Sequence, residues 1–378
     1  MIHKRVLIVS GEPSGDLHAS NLVNNLKALN PGIGFFGMGG SLSKAAGVDI
    51  VFDITELALI GYIEVVKNII VVGKAYKSIL ARMDLERPDL AILVDYPGFN
   101  LRLANELKKR SVPIVYYISP QVWAWGRDRV SIIKRCVKKI IVFFKFEEEL
   151  YKTYGVDAEF VGHPLLDTVK TTLPKNEVLK RYALAEGKTT IALLPGSRKN
   201  EVKAILPVMA KAAKIIKDVL GTAQFIVSKH PAIPIELYEE AVKDAGQEFK
   251  FAEGDTYNIV GAADFAIVTS GTATLETGII GTPLLITYKT SLITYLAYLF
   301  VRSIGFVGLV NIVANKEVAP ELLQFDANPE KIAAKVVEIV SSAGKMAAMR
   351  EELGRVKDSL GSPGASLRAA RSILRLLN

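Results

Sequence analysis

The sequence predicts an α/β fold of two Rossmann-like halves, and three observations carry that prediction. Short apolar runs alternate with stretches of helical periodicity, the pattern that βαβ units require. The alternation starts afresh at Thr189, beyond Gly162–Pro174, where glycine, two prolines and polar residues interrupt it. Several apolar runs also end in loops of small, hydroxylated or charged residues, and open α/β sheets bind ligands at the carboxyl ends of their strands.

Composition sets the outer limits. A chain of 378 residues is roughly two to three domains long. Half of it is hydrophobic, enough for sizeable cores and against disorder. The single cysteine, Cys136, excludes an intramolecular disulfide framework and suits a reducing compartment. Lys4-Arg5 is followed only by Val6–Val9 before Gly11-Glu12, too short for a secretory signal core. The net charge of +8 favours anionic partners. Basic residues gather in Arg127–Lys139 (Arg127, Arg129, Lys134, Arg135, Lys138, Lys139) with aliphatics between them. That pattern suits an anionic membrane surface or phosphates, or simply a solvated helix face; nucleic acid is not expected.

Taken in order, Val6–Val9 reads as the first strand, followed by Gly11-Glu12-Pro13-Ser14-Gly15-Asp16 and a helix to about Leu29. Asn30-Pro31-Gly32 stops that helix, and Gly34–Gly37 and the loop Gly39-Gly40 follow. Ala91–Val94, preceded by Pro88-Asp89, reads as a strand buried on both faces. It ends at Asp95, and Pro97-Gly98 turns the chain into the amphipathic stretch Phe99–Lys109. Further strands are Pro113–Ile118, Ile140–Phe144 and Ala158–Val161. The second series is Thr190–Leu194, Gln224–Val227, Ala263–Val268 and, after Pro283, Leu284–Thr287. The expected domains are therefore 1–165 and 166–354. The last segment, about 355–378, holds a basic amphipathic helix (Ser366–Leu377) that packs back on the first half or against another subunit.

Three loops carry chemistry. Asp95, at the end of an inner strand, is placed either to act on a ligand or merely to cap the next helix. Gly11–Asp16 follows a strand and opens a helix, as a phosphate or sugar loop does. It is neither G-x-G-x-x-G nor a Walker A sequence. Glu12 and Asp16 would oppose a pyrophosphate, so sugar hydroxyls suit it better, and a purely structural tight turn is the alternative. In the second half, Leu194-Pro195-Gly196-Ser197-Arg198 ends a buried strand and Glu201 opens the next helix. There Arg198 offers a forked cation to a diphosphate, or is an exposed surface arginine. Thr269-Ser270-Gly271-Thr272-Ala273-Thr274-Leu275-Glu276 leaves the next helix start open for an anion. Glu276, one turn inside, is placed for a ribose diol. No metal is expected: His3, His18, His163 and His230 are scattered and no Asp-x-Asp occurs. A serine hydrolase is unsupported without a G-x-S-x-G elbow.

Six stretches together resemble the successive signatures of the lipid-A-disaccharide synthase family. They are Gly11–Asp16, Asp95-Tyr96-Pro97-Gly98-Phe99-Asn100, Tyr117-Ile118-Ser119-Pro120-Gln121-Val122-Trp123-Ala124-Trp125, Phe160-Val161-Gly162-His163-Pro164, Leu194–Arg198 with Glu201, and Ser270–Glu276. They follow the family's order over nearly the whole chain. The resemblance implies a GT-B-like enzyme, its two parallel sheets facing each other across a cleft, peripheral to the cytoplasmic face of the inner membrane. It implies transfer from UDP-2,3-diacylglucosamine to 2,3-diacylglucosamine 1-phosphate, with inversion to a β-1′,6 linkage and release of UDP. The UDP-sugar is then a substrate and no cofactor is implied; a homodimer is possible. Asp95 is implied as the base. Gly196, Ser197, Arg198, Glu201, Ser270, Gly271, Thr272, Ala273, Thr274, Glu276 and Asn311 are implied on the donor side. Gly11, Glu12, Ser14, Gly15, Asp16, Ser119, Gln121, Trp123 and His163 are implied on the acceptor side. The family often has proline before that asparagine, where this chain has Val310.

Two other classes share these features. A sugar-nucleotide epimerase needs no acceptor, and a non-catalytic nucleotide-binding membrane adaptor would tolerate loss of Asp95. Two apolar stretches bear on the membrane. Ser291–Val313 is long enough to span, yet Arg302, two glycines and Asn311 interrupt it. Leu57–Val72 carries Glu64 and Lys67. Both are expected to dock acyl chains at a membrane surface without crossing it; buried core or a subunit interface is the alternative.

Overall fold

The computed structural model describes residues 4–58, 65–120, 122, 129–289 and 305–377. Gln121, Trp123, Arg127 and most of the two apolar stretches lie outside them. The chain forms two compact units, 1–164 with 360–378, and 165–359.

The first unit runs β1 (Lys4–Ser10), α1 (Pro13–Leu29), β2 (Ile33–Gly39), α2 (Ser41–Ala45), β3 (Val48–Asp53), α3 (Thr55–Ala58) and α4 (Val65–Glu86). It continues with β4 (Leu90–Val94), α5 (Pro97–Lys109), β5 (Ile114–Tyr117), α6 (Arg129–Cys136), β6 (Lys139–Val142), α7 (Lys145–Thr153) and β7 (Ala158–Phe160). Its seven strands lie in the order β3-β2-β1-β4-β5-β6-β7, every pairing parallel. β4 sits between β1 and β5 with all five residues buried, which is why it reads as an unbroken apolar run. Strand order reverses between β1 and β4, so the loops after them meet at one point of the carboxyl edge.

The second unit contains α8 (Leu165–Thr168), α9 (Lys175–Arg181), β8 (Thr189–Leu194), α10 (Lys199–Leu220), β9 (Ala223–Lys229), α11 (Ile235–Val242) and β10 (Lys250–Glu253). Then come α12 (Thr256–Ala262), β11 (Phe265–Thr269), α13 (Thr272–Ile280), β12 (Leu284–Tyr288), α14 (Leu309–Ala314), β13 (Glu321–Leu323), α15 (Pro329–Val340) and α16 (Ala343–Ser359). The sheet order is β10-β9-β8-β11-β12-β13, again all parallel. The reversal here falls between β8 and β11.

Three strands have no counterpart in the sequence reading: β3, β10 and β13. Each is a sheet edge, with one side unpaired and polar residues in the run, so the apolar signal of an inner strand is missing. β11 begins at Phe265, two residues later than expected. Ala263 still closes α12 through its N–H to Ile259 O, and the Asp264 carboxylate takes the Thr190 N–H at 2.8 Å.

The returning segment begins at Leu360, not near 355, because α16 runs unbroken to Ser359 with Val356 buried. Its helix α17 (Ala365–Leu377) packs on α1. Ala365, Ala369, Ile373 and Leu377, one per turn, join Ala19, Leu22, Val23 and Leu26 in one core beneath the sheet. Arg368 fixes its start by donating to the Val161 carbonyl at 2.7 Å and the Pro363 carbonyl at 2.8 Å. Ile373 is fully buried, so Ile373→Ala should lower unfolding free energy by about 2–5 kcal/mol. Urea titration checks this; an unchanged midpoint would detach α17 from the core.

Candidate functional site

In the first unit the site is built on a strained turn. Asp95 and Tyr96 have φ of 45° and 46°, two successive left-handed residues that are not glycine, a conformation costing on the order of 1–3 kcal/mol each. Buried groups hold them there. The Asp95 N–H donates to Tyr117 O at 3.0 Å, and its carbonyl accepts from the Tyr116 hydroxyl at 2.6 Å and from Asn100 Nδ2 at 2.8 Å. The Tyr96 ring stacks on Phe99, centroids 5.8 Å apart. It also occupies the space beside Gly11, where an added Cβ would stand 2.1 Å from Tyr96 Cδ1. Only glycine lets the two loops approach this closely.

The N-cap of α5 is Tyr96, with no side-chain capping bond, so Asp95 is not the helix cap. Its carboxyl is pushed above the ordinary aspartate range, first by burial and then by the Glu12 charge, while the Tyr96 backbone N–H pulls part of the way back. A carboxylate of raised basicity at an inner strand end is the type of group that accepts a proton from a hydroxyl.

Other polar residues expected on the acceptor side turn inward. Asp16 is buried and takes the N–H groups of Gly40 at 2.8 Å, Leu42 at 3.1 Å and Ser43 at 3.1 Å. It caps α2 from α1. Gly15 is buried in the first turn of α1, beside Ser10 and Val94. Ser119 is buried and donates to the buried Glu147 carboxylate at 2.8 Å, bracing α7. His163 is nearly buried against Phe143 and Phe144. Burial and the neighbouring His18 lower its pKa to about 3, so it stays neutral and offers no charge to a phosphate. Glu12 and Ser14 are exposed.

In the second unit a pocket of about 970 Å³ opens at the carboxyl ends of β8, β9 and β11. It brings together Gly196, Ser197, Arg198 and Glu201 from one loop, and Ser270, Gly271, Thr272, Ala273 and Glu276 from the other. Gly196 has φ 107°, and a Cβ there would meet Glu201 Oε2 at 2.4 Å. Glu201 braces the loop, accepting the Ser197 N–H at 3.1 Å and the Arg198 guanidinium at 3.0 Å. Arg198 is therefore exposed yet held at the pocket rim.

At α13, Ser270 has both donors engaged: its N–H on Thr287 O at 3.0 Å and its hydroxyl on Val307 O at 2.9 Å. Thr274 is buried, its hydroxyl on Gly271 O at 2.8 Å. Thr274 thus braces the start of α13 from inside the fold. No side chain caps α13, so its first-turn N–H groups at Thr272 and Ala273 border the pocket uncapped. Asn311, expected on the donor side, bonds within the fold. It is fully buried; Nδ2 donates to Ala319 O at 2.7 Å and Glu321 Oε1 at 2.8 Å, and Oδ1 accepts from Val318 N and Ala319 N. Both donors and both lone pairs are engaged within the fold.

Lys229 and Tyr257 are among the lining residues that escaped the sequence reading. Lys229, at the end of β9, is nearly buried and pairs with Glu253 at 2.9 Å; its strand-end position was a usable signal. Tyr257 donates to Glu276 Oε1 at 3.0 Å. It follows the unforeseen edge strand β10, so no signal pointed to it. Burial raises the Glu276 pKa, which the Tyr257 hydrogen bond offsets in part.

The raised Asp95 pKa has a consequence for stability. Between the unfolded pKa of about 3.9 and the higher folded value, the native state binds more protons, so stability falls as pH rises through that window. Asp95→Asn should therefore match or exceed the wild-type melting temperature at pH 7, with any advantage gone below about pH 4. Melting curves across that range decide it; a variant less stable at pH 7 contradicts the electrostatic account.

Comparison with known proteins now bears on this geometry. A family model described as lipid-A-disaccharide synthetase matches residues 6–368. A lipid-A-disaccharide synthase of Syntrophus aciditrophicus is 46% identical over 378 residues, 100% of this chain and 99% of that protein. A calicheamicin glycosyltransferase structure is similar with a TM-score of 0.62 at 13% identity, covering 100% of this chain and 99% of that one. The UDP-GlcNAc 2-epimerase of Neisseria meningitidis, bound to UDP-GlcNAc, gives 0.63 at 10% identity, covering 98% and 100%. At these identities the structures show a shared fold, which transferases and epimerases both use. The sequence match separates them: the chain belongs to the lipid-A-disaccharide synthase family, hexosyltransferases of the GT-B fold.

Proposed function

We propose that the protein joins UDP-2,3-diacylglucosamine to 2,3-diacylglucosamine 1-phosphate, forming a β-1′,6-linked disaccharide 1-phosphate with inversion and releasing UDP. The observation that carries this reading is Asp95, a carboxylate of raised basicity on a strained turn where it is not needed as a helix cap. The acceptor 6-hydroxyl gives its proton to Asp95 as its oxygen bonds the donor anomeric carbon. The bond from that carbon to the diphosphate breaks, and the electron pair leaves with UDP.

The departing charge falls to Arg198, Lys229 and the uncapped start of α13, each group worth on the order of a few kcal/mol in a dry site. Glu276, its Oε1 held by Tyr257, has Oε2 for the ribose diol. The UDP-sugar is a substrate in this scheme and no cofactor takes part. Among the described residues no three His, Cys, Asp or Glu side chains group where they would share a metal ion.

The lipid substrates place the reaction at the anionic cytoplasmic face of the inner membrane. Lys134, Arg135 and Lys138 are exposed on and after α6, whereas Lys139 is turned into an ion pair with Glu159 at 2.9 Å. Among the described residues no helix is long and apolar enough to cross a membrane.

Incubating the protein with UDP-diacylglucosamine, with and without the monosaccharide 1-phosphate, tests the reaction. A disaccharide 1-phosphate identified by mass, and UDP release strictly dependent on acceptor, are expected; acceptor-independent conversion of the donor sugar points to an epimerase instead. Asp95→Asn should slow turnover roughly a hundredfold or more at unchanged UDP affinity, and near-normal turnover would favour an adaptor or another base. Arg198→Ala should weaken UDP binding and slow transfer together, and Glu276→Ala should cost about 1–3 kcal/mol of UDP binding. Calorimetry reads both, and unchanged affinity in the pair moves the donor site elsewhere.

A further inference from the structure

We propose that Glu321 positions the anion-binding end of the donor pocket, acting through the backbone of Val307 on the hydroxyl of Ser270. The inference rests on the reading above that places the donor diphosphate at the start of α13.

Ser270 is the first residue after β11, and Gly271 leads from it into α13. Gly271, at φ 146° with open space where a Cβ would be, imposes no direction of its own. The heading of the loop is therefore set by what holds Ser270: Thr287 O on its N–H, and Val307 O on its hydroxyl. Val307 O is in turn fixed from the far edge of the sheet. Glu321, on the three-residue strand β13, takes the Val307 N–H at 3.0 Å, the Gly308 N–H at 2.9 Å and Asn311 Nδ2 at 2.8 Å. Gly308 admits this close approach: a Cβ there would stand 2.3 Å from Ile286 Cδ1 and 3.2 Å from Glu321 Oε1.

Hydrogen bonds to a carboxylate are stronger and shorter than neutral ones, so the Glu321 carboxylate is the firm point of the link. A purely structural role is already filled by Asn311, whose Oδ1 bonds to Val318 and Ala319 tie α14 to the chain before β13 without Glu321. What Glu321 adds is the orientation of the Val307 peptide that Ser270 reads.

UDP titration calorimetry on wild type, Ser270→Ala, Glu321→Gln and the double variant tests the link, with thermal melts to confirm folding. Each single change should raise the UDP dissociation constant roughly five- to tenfold, the scale of one or two lost hydrogen bonds. The double variant should bind no more weakly than the weaker single one, because both changes break the same link. Glu321→Asp, which keeps the charge but shortens its reach, should fall between wild type and Glu321→Gln, and it replaces Glu321→Gln in the cycle if the latter does not fold. Unchanged affinity in either single variant, or losses that multiply in the double, overturns the proposal. Failure of the donor-site reading itself shows differently: Arg198→Ala would then bind UDP as tightly as wild type.

Discussion

The first unit depends on keeping two consecutive non-glycine residues in left-handed conformation at the end of β4. Isolated, Asp95 and Tyr96 would relax. Here the Tyr116 hydroxyl, Asn100 and the Tyr117 carbonyl bind the Asp95 backbone from three sides. Asn100 and Tyr116 are themselves fully buried, so the restraint draws on the packing of β5 and α5. The bare Gly11 loop and the aromatic stack on Phe99 follow from the same turn, since both accommodate the Tyr96 ring. Strain of this kind persists only where the surroundings over-determine it.

The loops at both switch points divide their work in the same way. One polar residue braces the loop and its neighbours stay open. Asp16 holds α2 while Glu12 and Ser14 are exposed; Glu201 ties down its loop while Arg198 reaches the rim; Ser270 and Thr274 fix the start of α13 while Thr272 and Ala273 line the pocket. Such loops look uniformly ligand-like in sequence because bracing and binding draw on the same residue types.

That explains what was legible and what was not. Inner strands such as β4 and β8 were plain because both faces are buried and the apolar run is continuous. Edge strands β3, β10 and β13 lack that signature, and Tyr257 and Glu321 escaped notice with them. Asp95 stands where the sequence put it, at the end of β4. The internal partners of Asp16, Ser119, Thr274 and Asn311 were not legible, because sequence gives a residue's type and spacing but not the group that satisfies it. Burial decided each case: a polar side chain shut away from water takes an internal partner.

The return of α17 to the first unit has a consequence for how the chain is made. The apolar face of α1 is translated before the 165–359 unit, but its partner helix follows only after that whole unit has been translated. At ordinary elongation rates that interval is about 10–40 s. The second unit, contiguous in sequence, can close within it, while the earlier-made one waits with an uncovered flank. Vectorial synthesis thus reverses the expected order, completing the later-encoded unit first and leaving the nascent α1 surface in need of shelter until the final helix arrives.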